Sequence, residues 1–310
     1  MLARYIPSNL RGFMNRPSYF EGWFQKIYAV EHRASVLIIY GYATQNPPER
    51  FGFIQILLPN ERPLLYYFPK HEVDLDLTNH VVRMGNNLLS TQEITIASEV
   101  LQMNLRLSVK HPVQSLKNTM GYTYYIPNLP CYHAVVNPAH WVSGDIQFNG
   151  NSIELTNERG YLEKNWGTSF PQDYLWLHAL DPSDSGVSLL FSCASMHWMG
   201  RTFRKHVGHI RYKGIEMDLR ELKQVTIRCV KESSLSYSIT LSSKTISLRI
   251  EVVSVRQVTF KGPDQGQMSR DIIHHADANM LVTIRTDVFQ ESLQLIGNFE
   301  DMGSFFLPEI

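Results

Sequence analysis

Glu163 lies in a stretch whose residue types could carry out proton transfer. The stretch reads Gly-Tyr-Leu-Glu-Lys-Asn-Trp-Gly-Thr-Ser-Phe-Pro over residues 160–171, so a carboxyl group adjoins an ammonium group, an amide and aromatic rings. Burial in apolar surroundings can keep a carboxyl group protonated and make it an acid. Two glycines and a proline predict a tight turn before a strand over Tyr174–Leu180. Mixed segments of this kind are typical of functional loops, so the stretch predicts a site.

A second stretch, Ser-Tyr-Phe-Glu-Gly-Trp-Phe-Gln-Lys over residues 18–26, has a related composition. Both stretches read Tyr, an apolar residue, Glu, and then Trp after one or two residues, and each precedes a run of strands. Either duplication or chance explains this similarity between the two stretches. Duplication predicts two β-domains, over residues 1–159 and 160–310, with the central stretch in the second.

Composition excludes several classes of protein. The 29 basic and 29 acidic side chains balance, which is unlike the basic footprint of a nucleic-acid binder. The N-terminal residues lack an apolar segment typical of a signal peptide, and no apolar run is long enough to span a membrane. We therefore expect a soluble, cytoplasmic protein, although contact with a membrane surface is left open. Its three cysteines show neither metal-ligand spacing nor a disulfide framework, which indicates reduced thiols at positions Cys131, Cys193 and Cys229.

The elements that must position these residues are predominantly strands. Apolar and polar residues alternate over 103–109, 235–241 and 246–252, which is the period of a half-buried strand. An Asn-Gly pair at 149–150 predicts a hairpin turn. Helical spacing is nearly absent and is limited to a turn or two within 267–276. Many short strands with polar turns predict an all-β barrel or sandwich.

The two stretches resemble the two signatures of the tocopherol cyclase-like family. Residues 132–133, His140 and residues 143–144 also resemble its bacterial members, in the same order along the chain. The resemblance implies an all-β fold of two lipocalin-like (calycin-type) antiparallel barrels or half-barrels in tandem. It also implies an isomerase-class activity on a lipophilic small molecule: closure of a prenylated hydroquinone to a chromanol, with no cofactor and no metal.

Three positions depart from the plant-type pattern of that family. Gln25 stands where an aromatic residue is common, Tyr161 replaces a tryptophan, and His178 replaces a glutamine. These differences leave the fold expectation intact and leave the substrate open.

Such a cyclisation requires protonation of a carbon–carbon double bond, which creates a tertiary cation that the phenolic oxygen captures. Glu163 is the predicted acid and Glu21 the second candidate, because aromatic residues flank both. Aromatic rings would stabilise the cation by about 0.5–2 kcal/mol each. The expected substrate-binding residues are Trp23, Lys26, His133, Tyr161, Lys164, Asn165, Trp166, Phe170, Trp176 and His178.

Other interpretations fit the same residues. Glu21 or Glu163 could form an ion pair with Lys26, Lys164 or an arginine, with a tryptophan packed on the cation, and this would lower the pKa of the carboxyl group. The chain could also be a non-catalytic binder of a hydrophobic small molecule, or a partner-binding β-domain. Zinc is not expected, since His206 and His209 would face opposite sides of a strand. Open sheet edges would favour a homodimer.

Overall fold

A computed structural model describes residues 9–12, 16–45, 50–108, 119–183, 186–222, 224–303 and 307–308. These residues form strands and short 3₁₀ turns without an α-helix, which confirms the all-β prediction. The helical turn expected within 267–276 is instead part of a strand. Residue 109, the last of one predicted strand, lies outside the described residues. The 3₁₀ turns are Lys70–Glu72, Gly121–Tyr125 and Leu219–Glu221.

The chain divides into two compact units. Unit 1 comprises residues 1–170 and 261–270, and unit 2 comprises residues 171–260 and 271–310. The predicted boundary at residue 160 is misplaced, because this residue lies inside a strand that pairs on both sides within unit 1. The central stretch therefore belongs to the first unit and not to the second.

The first sheet has 11 antiparallel strands in the order β4-β3-β2-β1-β11-β10-β9-β8-β7-β6-β5. The strands are β1 (Tyr19–Ala29), β2 (Ala34–Thr44), β3 (Arg50–Leu57), β4 (Leu64–Pro69), β5 (Val73–Asp76), β6 (Val81–Met84), β7 (Asn87–Leu89), β8 (Glu93–Ala97), β9 (Leu101–Ser108), β10 (Cys131–Phe148) and β11 (Asn151–Gly167).

This sheet curls into a nearly closed barrel. Strand β3 approaches the far end of the sheet, where Arg50 Nη2 donates a hydrogen bond of 3.0 Å to the carbonyl oxygen of Val73. Gly52 permits this approach, because a Cβ atom there would lie 2.5 Å from Met84 Sδ and 2.9 Å from Val73 Cγ2. Any side chain at position 52 would push the two parts of the sheet apart.

Strand β1 is buried on both faces. One face points into the barrel, as shown by its neighbour Tyr40, whose hydroxyl donates across the interior to the carbonyl oxygen of Ser90. The other face, called the outer face below, is covered by residues 261–270: Gln55 exchanges two hydrogen bonds with the backbone of Lys261, of 2.8 and 2.7 Å. Apolar packing on that face joins Phe20, Ala43, Phe53, Cys131 and Met268.

The second sheet also has 11 strands, in the order β15-β14-β13-β12-β21-β20-β18-β17-β16-β22, with β19 paired to β20. Its core is apolar and includes Leu177, Phe191, Ile239 and Phe299. The three cysteines of the chain are free and buried. The strands are β12 (Tyr174–Leu180), β13 (Ser188–Trp198), β14 (Arg201–Tyr212), β15 (Ile215–Asp218), β16 (Thr226–Lys231), β17 (Ser236–Ser242), β18 (Ile246–Val253), β19 (Arg256–Asp264), β20 (Gln267–Thr286), β21 (Gln290–Met302) and β22 (Leu307–Pro308).

Candidate active site

The central stretch is mainly strand and not loop, because β11 continues to Gly167. Successive side chains of a strand point to opposite faces, so the residues of this stretch cannot all face one site. Lys164 and Trp166 point into the barrel of unit 1, while Glu163 and Asn165 point to the outer face. The residues expected to act together therefore form two separate clusters.

The interior cluster is built on an ion pair between Glu21 and Lys164. Lys164 Nζ lies 2.5 Å from Glu21 Oε1, and both side chains are fully buried. Glu21 also accepts hydrogen bonds from the Tyr42 hydroxyl at 2.5 Å, the Tyr19 hydroxyl at 3.3 Å and the backbone N–H of Arg11 at 2.8 Å. The Glu21 carboxyl group is therefore held by one cation and three hydrogen-bond donors.

Aromatic rings surround the lysine. Lys164 Nζ lies 4.9 Å from the ring centroid of Trp23 and 5.1 Å from that of Trp166, within the range of cation–π attraction. Trp23 stacks on Tyr40, with 5.4 Å between ring centroids. Burial lowers the pKa of Lys164 to about 8, although the Glu21 charge acts in the opposite direction.

The environment of Glu21 is unsuited to the acid role predicted for it. An acid for alkene protonation must stay protonated, whereas Glu21 forms an ion pair with the ammonium group of Lys164. The alternative interpretation, an ion pair with a tryptophan packed on the cation, is confirmed for Glu21 and Lys164.

The outer-face cluster contains Tyr161, Glu163, Asn165 and His133, all of them predicted from the sequence. Glu163 Oε2 accepts a hydrogen bond of 2.7 Å from the Tyr161 hydroxyl, and Glu163 Oε1 accepts one of 3.2 Å from Asn165 Nδ2. His133 Nδ1 lies 3.0 Å from Asn165 Oδ1, and His133 Nε2 lies 3.9 Å from Glu163 Oε2. Strands β10 and β11 hold the cluster, because His133 and Asn165 are direct cross-strand partners.

The position of one proton follows from this geometry. Asn165 donates through its nitrogen to Glu163, so its oxygen must accept from His133 Nδ1–H. The neutral imidazole then has a lone pair on Nε2, which has no hydrogen-bond partner among the described residues and faces the Glu163 carboxyl group.

The cluster is shielded from solvent without being sealed. The Glu163 side chain is 7% exposed and that of His133 is 16% exposed. Phe24 and Val135 are the cross-strand neighbours of Glu163 on either side. Lys26, another predicted binding residue, is buried on this face opposite Tyr161.

The remaining predicted residues lie elsewhere. Phe170 packs edge-to-face on Phe20, with 5.6 Å between ring centroids, and belongs to the apolar packing of the outer face. Trp176 and His178 lie on β12 and are part of unit 2.

Unit 2 contains a cluster that sequence reasoning missed, made of Tyr174, Glu300, His274 and Asn298. Glu300 accepts a hydrogen bond of 2.8 Å from the Tyr174 hydroxyl and lies 2.8 Å from His274 Nδ1. Asn298 Nδ2 lies 3.0 Å from His274 Nε2. His274 is part of β20, and pairing with β21 places it opposite Glu300.

Aromatic rings pack on His274. Its ring centroid lies 6.2 Å from that of Trp176 and 5.4 Å from that of Phe260. His178 is the direct cross-strand partner of Asn298 and is also buried. The sequence signal for this cluster was the i, i+2 spacing of Asn298 and Glu300, which places both on one face of a strand.

Comparison with structures of known proteins supports the fold. A protein of Nitrosomonas europaea described as AttH superposes with a TM-score of 0.55 at 14% identity, covering 90% of this chain and 91% of that one. Kievitone hydratase of Nectria haematococca superposes with a TM-score of 0.52 at 9% identity, covering 96% and 94%. At these identities the likeness is one of fold alone. Among the described residues, no helix has the length and apolar character needed to span a bilayer.

Sequence comparison identifies the relatives. The chloroplastic tocopherol cyclase of Zea mays is 21% identical over 243 residues, which is 59% of this chain and 50% of the relative. The chain thus spans about half the length of this curated relative. The family model described as tocopherol cyclase-like matches residues 102–213, a range that contains β10, β11 and all four residues of the outer-face cluster. The predicted resemblance is therefore confirmed, and over these residues the chain is similar to the tocopherol cyclase-like family.

Proposed function

We propose that the outer-face cluster of unit 1 is the acid–base centre of a cofactor-independent cyclase. Its substrate would be a prenylated hydroquinone or a related lipophilic phenol. The observation that supports this function is the linked arrangement of Glu163, Asn165 and His133, which places a carboxyl oxygen opposite an imidazole nitrogen that can accept a proton.

The proposed reaction begins with transfer of the carboxyl proton of Glu163 to the less substituted carbon of the substrate alkene. The π bond breaks, a C–H bond forms, and a tertiary cation remains. The phenolic oxygen then forms the new C–O bond and loses its proton, which returns to the centre through the Glu163 carboxylate or His133 Nε2. Atoms and electrons balance without an oxidant or reductant, so the product is an isomer of the substrate.

Tyr161 and Asn165 would act as positioning residues in this scheme. Both donate hydrogen bonds to Glu163, so both stabilise the carboxylate left after proton transfer. If water captured the same cation in place of the phenolic oxygen, the product would be an alcohol, so hydration is the competing reaction. Exclusion of water from the cluster would favour ring closure.

The direct test is incubation of the purified protein with prenylated hydroquinones in D₂O, followed by mass spectrometry. Proton-initiated closure incorporates one non-exchangeable deuterium into the chromanol. Glu163→Gln should abolish this incorporation. Glu154→Gln, an exposed glutamate on the same strand, is the matched control and should retain it.

Two results would argue against the proposal. Unchanged turnover by Glu163→Gln would remove the acid assignment. Stable binding of each hydroquinone without turnover would instead favour the non-catalytic binder of hydrophobic small molecules.

A further inference from the structure

Gln25 and His140 form a polar pair on the interior face of unit 1, which is the face opposite the proposed catalytic cluster. Gln25 Nε2 lies 2.9 Å from His140 Nε2 and also donates a hydrogen bond of 2.9 Å to the carbonyl oxygen of Lys26. Gly160 makes the first contact possible, because a Cβ atom there would lie 2.2 Å from His140 Nε2. The pair thus depends on a glycine of the central stretch.

The hydrogen bonds determine the orientation of both side chains. An amide nitrogen only donates, so His140 Nε2 must accept, and the imidazole carries its hydrogen on Nδ1. Burial lowers the pKa of His140 to about 4, which keeps the ring neutral and able to accept at neutral pH. Both amide hydrogens of Gln25 are used, and the orientation of its amide is therefore fixed.

Gln25 Oε1 is left as a buried acceptor. Gln25 is fully buried, and this oxygen has no hydrogen-bond partner among the described residues. An unpaired buried acceptor costs free energy, so such an atom indicates a place where a donor is expected.

The strand neighbours of Gln25 on this face are apolar. Leu162 and Ile38 are the direct cross-strand neighbours of Gln25, one on each side. Trp23 is two residues away on the same face, stacked on Tyr40. A group that satisfies Gln25 Oε1 must therefore combine a hydrogen-bond donor with an apolar body.

We propose that the interior of unit 1 contains a binding site for the hydroxyl group of a small lipophilic alcohol or phenol. Gln25 Oε1 accepts the hydrogen bond of that hydroxyl group, and Leu162, Ile38 and Trp23 contact its apolar body. The site does not depend on the proposed function, because it lies on the other face of β1 and β11 and uses none of the residues assigned to proton transfer.

A pair of probes tests the site. 4-Propylphenol has a donor hydroxyl group, whereas its methyl ether, 4-propylanisole, has nearly the same shape but cannot donate. Titration calorimetry of each probe into the full-length protein should show roughly tenfold tighter binding of the phenol, which is the effect expected of one hydrogen bond to a buried acceptor. Tryptophan fluorescence should change on binding, since Trp23 lies beside the site.

Gln25→Met removes the acceptor while preserving the volume of the side chain, so the two probes should bind it equally. Gln102→Met, the same change at an exposed position, should retain the preference for the phenol. A thermal melt establishes that Gln25→Met is folded, and Gln25→Leu serves as the second variant if it is not. Three results would overturn the proposal: equal binding of the probes to the wild type, no binding of either probe, or a preference for the phenol that persists in the Gln25 variants. Gln25 Oε1 would then be the partner of an internal water only.

Discussion

The outer-face cluster of unit 1 and the cluster of unit 2 contain the same four residue types but connect them in a different order. In unit 1, Asn165 lies between the carboxyl group and the imidazole. In unit 2, His274 lies between Glu300 and Asn298. A tyrosine hydroxyl donates to the carboxylate in both.

This order gives the two histidines different hydrogen-bond environments. Both ring nitrogens of His274 have partners, since Nδ1 faces Glu300 and Nε2 accepts from Asn298. Among the described residues, His133 Nε2 has no hydrogen-bond partner. A network in which every member is satisfied stabilises a fold, whereas an open acceptor beside a carboxyl group is suited to acid–base chemistry. The residue composition of the two clusters is the same, so composition alone does not indicate which of them is the better candidate for an acid–base site.

The largest expected effect is on turnover. Glu163→Gln should lower chromanol formation by roughly 10²–10⁴-fold, the usual contribution of a general acid. Glu300→Gln should leave turnover per folded molecule nearly unchanged and lower thermal stability instead. Product measured by mass spectrometry, normalised to folded protein, distinguishes the two. Equal losses of turnover in both variants would contradict the division of roles between the clusters.

The next largest effect concerns the ion pair between Glu21 and Lys164. It sharpens the contrast between Glu21, which is paired with a cation, and Glu163, the proposed acid. Lys164→Met should lower the free energy of unfolding by about 3–5 kcal/mol, because it leaves Glu21 buried without its cation. Urea denaturation measures this change. The double variant Lys164→Met with Glu21→Gln should recover part of the lost free energy of unfolding. A loss below about 1 kcal/mol in Lys164→Met alone would contradict the buried ion pair.

The pH dependence of stability separates the units further, because each contains a buried histidine whose pKa is lowered to about 4. Burial lowers the pKa of His140 to about 4 from its usual 6.5, so the unfolded chain takes up this proton first as the pH falls. Stability from His140 is complete above pH 6.5 and is lost toward pH 4, by about 3 kcal/mol at most. His140→Gln should flatten the dependence of the denaturation midpoint over this window, and an unchanged slope would refute the assignment.

In unit 2 the corresponding residue is His275, whose pKa burial also lowers, to about 4. Burial raises the pKa of Asp301, also in unit 2, to about 6, and the effect of this carboxyl group on stability has the opposite sign as the pH falls. His275→Gln should therefore change the slope in the same direction as His140→Gln, and Asp301→Asn should change it in the opposite direction.

The smallest effects distinguish the two asparagines. Asn298→Ala should cost about 1–2 kcal/mol of stability through the lost hydrogen bond to His274, with turnover unchanged. Asn165→Ala should instead shift the pH profile of turnover, since Asn165 determines which nitrogen of His133 carries the hydrogen. Identical pH profiles for wild type and Asn165→Ala would contradict this positioning role.

Much of the fold and part of the site could be predicted. The alternation over 235–241 and 246–252 correctly indicated β17 and β18, and the Asn-Gly pair correctly indicated the turn between β10 and β11. His133, Tyr161, Glu163 and Asn165 were all selected from the sequence. The tight turn expected over the central stretch was wrong up to Gly167, because cross-strand pairing with β1 and β10 outweighs the local turn signals.

By itself, the sequence determined that this protein is built of strands and that its two stretches combine carboxyl groups with aromatic rings. The structure made the central stretch a strand up to Gly167, so Glu163 and Lys164 point to opposite faces. Only the tertiary structure decided which face is the interior and that Glu21, rather than Glu163, pairs with Lys164. These outcomes depend on the pairing of strands far apart in the chain, and no local pattern of residues specifies that pairing.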